Sequence, residues 1–101
     1  MRLIVMFDLP TQTMADRRNY RKFRRGLITN GFYMLQESVY CRLVLNNTVA
    51  KAATNAVRKI KPPVGSAIIL TVTEKQFADM EFITGTRQEE YIDTDERVIV
   101  L

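Results

Sequence analysis

The chain of 101 residues has no histidine and a single cysteine, Cys41. Little is left for catalysis or metal binding beyond carboxylates and hydroxyls, and one thiol gives no disulfide framework. No apolar run approaches the roughly 20 residues that span a bilayer. The opening "MRLIVMFDLP" has too short an apolar stretch for a signal peptide and meets an acid early. Linkers rich in Gly, Ser or Pro, internal repeats and low-complexity segments are also missing. The expectation is one domain over residues 1–101, soluble and cytoplasmic, with no membrane partner. A domain of this size buries a modest fraction of its surface, a limit that a homodimer relieves.

Acids are scarce in the first part of the chain. Residues 1–62 carry 12 Lys/Arg against 3 Asp/Glu, a balance of +9, and residues 63–101 carry 3 against 8, a balance of −5. Such a split suggests two faces, one for an anionic partner and one for a different partner. Nucleic acid is the commonest large anion that a basic face meets.

The apolar run "LIVMF" after Arg2 reads as a buried strand over residues 2–7. Thr13 is a candidate N-cap for a helix running to about Asn30, with Asp16 closing a capping box and Asn30-Gly31 as the stop. "FYMLQESVYCRLVL" (32–45) is too long for one strand and breaks near Glu37 and Ser38. Residues 46–61 form a second helix, capped by Asn47 or Thr48, with Val49, Ala53, Ala56, Val57 and Ile60 as its apolar stripe; Pro62-Pro63 ends it. "SAIILTVT" (66–73) is a strand and "EKQFADM" a helical turn. "EFITG" and "ERVIVL" are expected as two further short strands, a C-terminal extension over about 80–101 that serves a dimer or partner interface. The order β-α-β-β-α-β is that of the ferredoxin-like fold, an α+β arrangement with two helices on one face of an antiparallel sheet.

In "DRRNYRKFRRGLI" the spacing i, i+3, i+4, i+7 places Arg18, Arg21, Lys22 and Arg25 on one face of the first helix, flanked by Arg17 and Arg24. Tyr20, Phe23 and Leu27 lie opposite and face the sheet. Asp16 is the only acid in the helix. Four like charges over two turns repel one another, and an anion with repeating charge relieves them. The bland alternative is a solvated face that keeps the domain soluble; a stripe of one sign in a chain so divided favours nucleic acid, held by its phosphates. Tyr33 and Tyr40 are candidates for base stacking, or else half-buried packing residues.

Asp8 closes the first strand. The simplest reading is a turn residue that accepts backbone N–H groups ahead of the helix. Two considerations raise a catalytic role: strand ends hold reactive groups rigidly at the solvent boundary, and a homodimer can bring two copies together on its twofold axis. Paired carboxylates bind a hard cation such as Mg²⁺, whose bound water can attack a phosphodiester.

"MFDLP", then "RRNYRKFRRGLITNGFYMLQESVY", then "ILTVTEKQF" and a closing "ERVIVL" resemble, over essentially the whole chain, the small CRISPR-associated adaptation protein, Cas protein two, of the type II-A-like subgroup. The resemblance implies a ferredoxin-like homodimer with C-terminal strands extending to the other protomer. It implies that Asp8 is the metal ligand and catalytic residue of a nuclease dependent on Mg²⁺ or Mn²⁺, acting on single-stranded RNA or double-stranded DNA, and that Ser38 helps to position a metal water or phosphate. Ser38 reads equally as a turn-forming hydroxyl. The resemblance further implies a structural role. The dimer sits between two dimers of the integrase, Cas protein one, and holds double-stranded DNA during spacer acquisition, with Arg17, Arg18, Arg21, Lys22 and Arg25 as phosphate-binding residues. One departure bears on catalysis: Met34 stands where some nuclease-active relatives carry an arginine, and losing that cation weakens the nuclease reading. DNA bridging is therefore the leading expectation, an active endonuclease the alternative, and an anion- or protein-binding regulator the third.

Overall fold

The computed structural model describes residues 1–85. Their elements run β1 (Arg2–Asp8), α1 (Met14–Thr29), β2 (Tyr33–Gln36), β3 (Val39–Leu43), α2 (Asn47–Lys59), β4 (Ser66–Val72) and α3 (Glu74–Ala78). The four strands form one antiparallel sheet in the order β2-β3-β1-β4. This is the expected βαββαβ arrangement, with β1 central because its apolar run can be buried on both faces.

Alternation along β1 sorts the core. Leu3, Val5 and Phe7 point to α1 and α2, where they meet Phe23, Leu27, Ala53 and Val57. Ile4 points the other way, to Leu35, Cys41 and Phe77, with Met6, Met80 and Phe82 packed around them. The period of two in a strand makes this division automatic.

Helix α1 starts as its capping residues dictate: Asp16 N–H donates to Thr13 Oγ1 at 3.0 Å and Thr13 N–H to Asp16 Oδ2 at 3.2 Å. The two-strand reading of residues 32–45 holds, with Ser38 in the tight connection at φ 65°. Three details differ from expectation. Helix α2 is capped by Asn46, whose extended backbone lets its side chain accept from Val49 N–H at 2.9 Å, rather than by Asn47 or Thr48. Its buried stripe includes Ala50, a residue too small to stand out in a hydropathy pattern. Residues 81–85 form no strand, because no neighbour among the described residues supplies the ladder bonds a strand needs; Phe82 packs against the sheet instead. The expected strand "ERVIVL" lies outside the described residues. No helix among them is long and apolar enough to cross a membrane.

Candidate nucleic-acid interface and carboxylate site

Helix α1 lies across the sheet with Phe23 and Leu27 buried and its cations turned outward. Arg18, Arg21, Lys22, Arg24 and Arg25 are all exposed. The ion pairs among the described residues are Met1–Glu74, Arg2–Glu74 and Lys75–Asp79, so no acid there neutralises the α1 stripe. Arg17 differs from the other cations: its guanidinium donates to the carbonyls of Thr11 and Gln12 at 3.1 and 3.2 Å and so ties down the loop that follows β1.

Below the stripe lies an aromatic cluster. Phe7 stacks on Tyr40 at 5.8 Å and meets Tyr20 and Phe23 edge-on at 5.7 and 5.1 Å. Tyr40 is only 1% exposed, so it packs in the core and has no face for a base. Burial pushes its phenol upward from the usual 10, opposed by the positive charge of Arg24. Tyr33 is likewise engaged, receiving a hydrogen bond from Arg2 at 2.9 Å. Neither tyrosine is arranged as a stacking platform.

Asp8 is exposed at the end of β1 and pairs in register with Ser66 of β4. Two residues on from Met6, it belongs to the sheet face away from α1 and α2. Ser38 is its neighbour through the backbone, since Phe7 N–H donates to the Ser38 carbonyl at 3.0 Å. The Ser38 hydroxyl, however, pairs with Tyr20 OH at 3.3 Å on the helix side. The fold thus places Asp8 and the Ser38 hydroxyl on opposite sides of the strand, and Asp8 on the opposite face from the basic stripe.

Beside Asp8 the open face is apolar. Met6 stands opposite Ile68, and Ile4 opposite Leu70. Ile68 and Leu70, on the edge strand β4, are 58% and 49% exposed, large values for aliphatic residues that adjoin one another on a sheet face. Among the described residues no three His, Cys, Asp or Glu side chains converge. A divalent cation asks for about six oxygen donors. Asp8 by itself is too few, and it fits such an ion only where a second carboxylate and waters complete the set.

Residues 1–80 match the family model described as "CRISPR associated protein Cas2". The chain belongs to the Cas2 family. It is 52% identical over 101 residues to the "CRISPR-associated endoribonuclease Cas2" of Treponema denticola, covering all of both chains. It is 45% identical to the protein of that name from Streptococcus mutans, covering all of this chain and 93% of the relative. The Lacticaseibacillus rhamnosus protein of that name is 43% identical, with both chains fully covered. In structure the chain is similar to Streptococcus pyogenes Cas2 crystallised at pH 6.5, with a TM-score of 0.64 and 19% identity over 83% of this chain and 100% of that one. The last likeness carries the fold alone.

Cas2 membership agrees with the resemblance drawn from the sequence motifs. What those motifs did not disclose are residues that act through tertiary contacts. Tyr20 looks like plain packing in the helix pattern yet holds the Ser38 turn. Lys59 and Lys61, in the run "RKIK", line a groove with Lys22 and Arg25 of α1. Their charge was legible in the sequence, but their placement against α1 was not.

Proposed function

We propose that this Cas2-family chain works as a homodimer that binds double-stranded DNA and bridges two dimers of the integrase, Cas protein one, during CRISPR spacer acquisition. The observation that supports DNA binding is the outward stripe of Arg18, Arg21, Lys22 and Arg25, with no acid beside it among the described residues. Cations spaced at successive helical turns suit a polymer of phosphates, and binding of this kind is tolerant of sequence and steeply dependent on salt. Arg17 joins this surface through its charge while anchoring the loop after β1. The apolar open face built on Met6, Ile68 and Leu70 is the surface on which two protomers would pack, and it carries Asp8 with it. Family membership and the motif resemblance support the integrase as partner.

Reversing Arg18, Arg21 and Arg25 to Glu tests the DNA-binding reading. Duplex binding is expected to vanish, measured by fluorescence anisotropy, while far-UV circular dichroism stays that of the wild type. Unchanged affinity would remove α1 from the interface.

A second reading, nuclease activity, is supported by the name endoribonuclease that the relatives carry and by the exposure of Asp8. Asp8 and its counterpart in the second protomer would hold Mg²⁺ or Mn²⁺ through carboxylate oxygens. The ion, when bound, supplies an activated water and offsets charge on the phosphate. The chain's own contribution is to fix Asp8 at a rigid strand end through the Asp8–Ser66 pairing and to keep the Ser38 turn in place through Tyr20. Ser38 is then a positioning residue whose carbonyl secures Phe7, directly before Asp8.

A further inference from the structure

Helices α1 and α2 come close near their C-terminal ends. Gly26 allows this: a Cβ there would stand 2.7 Å from Ile60 Cδ1. Beside the contact runs an open groove of about 630 Å³. Lys22 and Arg25 of α1 and Lys59 and Lys61 at the end of α2 line it, with Phe23 and Ile60 among its apolar residues. No acid lines the groove, and none of its four cations has an ion pair among the described residues.

We infer that this groove seats the sugar–phosphate backbone of one nucleic-acid strand, with Lys22 and Arg25 as one set of phosphate contacts and Lys59 and Lys61 as the other. The inference rests on the reading of the helical layer as a DNA surface and extends that surface from one helix to two. Four cations around one groove repel, and an anion between them turns repulsion into attraction. A linear polyanion fits better than a compact one. The groove's α1 residues run from Asn19 to Thr29, about 15 Å at the helical rise of about 1.5 Å per residue. That length accommodates more than one nucleotide of a strand whose charges advance about 3.4 Å each along the duplex axis. Lys22 and Arg25 stand one turn apart along it, about 4.5 Å by the same rise. The apolar residues suit the faces of sugars, which lack charge. A duplex would present one backbone ridge to the groove, with its other strand outside.

The test compares two charge-matched double variants of α2 and the residues that follow it. Lys59→Glu with Lys61→Glu alters the groove. Lys51→Glu with Arg58→Glu changes charge by the same amount at residues that do not line it. Binding of a short fluorescein-labelled duplex is followed by anisotropy at several salt concentrations between about 50 and about 200 mM. The groove variant is expected to lose affinity by about tenfold or more, with its log–log salt slope reduced by about 1.8 for two lost phosphate contacts. The control is expected to keep the wild-type slope. Lys59→Gln with Lys61→Gln removes the same contacts without adding acids and is expected to show the same fall in slope. If the groove variants bind as wild type, or the control loses as much, the groove assignment is wrong. Displacement of the duplex by tripolyphosphate from wild type but not from the groove variants would also overturn it, in favour of a compact anion. Loss of binding on α1 reversal with intact groove variants removes the groove alone; no loss in either removes the DNA surface as a whole.

Discussion

Gly65 lies directly against the backbone of Asp8. A Cβ on Gly65 would stand 2.7 Å from the Asp8 carbonyl oxygen and 2.7 Å from Leu9 Cδ2, and the residue has a φ of +88°. The turn before β4 thus closes over the strand end that carries the candidate carboxylate, and only a residue without a side chain can take that position.

Gly65→Ala is expected to destabilise the fold by about 1–3 kcal/mol from the left-handed backbone alone, with the clash at Asp8 adding to it. Urea unfolding followed by circular dichroism reads the shift. A midpoint equal to that of the wild type would mean the turn relaxes freely and does not constrain Asp8.

Asp8→Asn keeps the size of the side chain and removes its charge. If Asp8 holds a catalytic ion, cleavage of labelled RNA or DNA in Mg²⁺ or Mn²⁺ falls by about 10²-fold or more, the scale on which loss of a charge-stabilising group acts. EDTA abolishes the wild-type reaction, and duplex affinity is unchanged, because Asp8 lies on the opposite sheet face from α1. If neither protein cuts, Asp8 ends a strand and the protein acts by binding alone.

Ile68→Lys probes the open sheet face. In a dimer packed on that face the new ammonium must be desolvated without a partner, which is costly. Light scattering after size exclusion is expected to show a monomer. A persistent dimer would place the interface on another surface.

Acid stability should report the contact between Glu74 at the start of α3 and the start of β1. Glu74 lies 3.1 Å from Arg2 Nε and 3.4 Å from the amino terminus. The hydrogen bond from Arg2 draws its carboxyl below the ordinary 4.5, against a smaller opposing effect of burial. A depressed carboxyl stabilises the fold above its unfolded pKa, and that stability is lost as pH falls through the folded value. Thermal melts should therefore drop more steeply below about pH 4.5 in the wild type than in Glu74→Gln. The effect is modest, since Glu74 is half-exposed and screened by water. Parallel melting curves for the two proteins would show the contact contributes nothing.

The order of elements was legible because each rests on a local rule. The apolar run of β1 needs burial on both sides, Thr13 and Asp16 cap one another, and Pro62-Pro63 cannot continue α2. The basic stripe was legible for the same reason, since 3.6 residues per turn place Arg18, Arg21, Lys22 and Arg25 on one face in any helix. The cap at Asn46 was missed by one residue because three consecutive residues, Asn46, Asn47 and Thr48, can all accept the bond, and only the backbone path chooses among them. The strand expected at residues 81–85 failed for a non-local reason: strand pairing requires a neighbour, and apolar residues alone do not supply one.

By itself the sequence determined that this is a βαββαβ chain with a basic first helix and a lone acid at the end of its first strand. Periodicity, capping and charge are properties of neighbouring residues, so they can be read without the fold. Tertiary structure alone decided that Asp8 and the basic stripe stand on opposite faces of the sheet, that the Ser38 hydroxyl turns to Tyr20, and that Lys59 and Lys61 line a groove with α1. Each of these depends on which strands pair and how closely two helices approach, and those are set by packing between residues far apart in the chain.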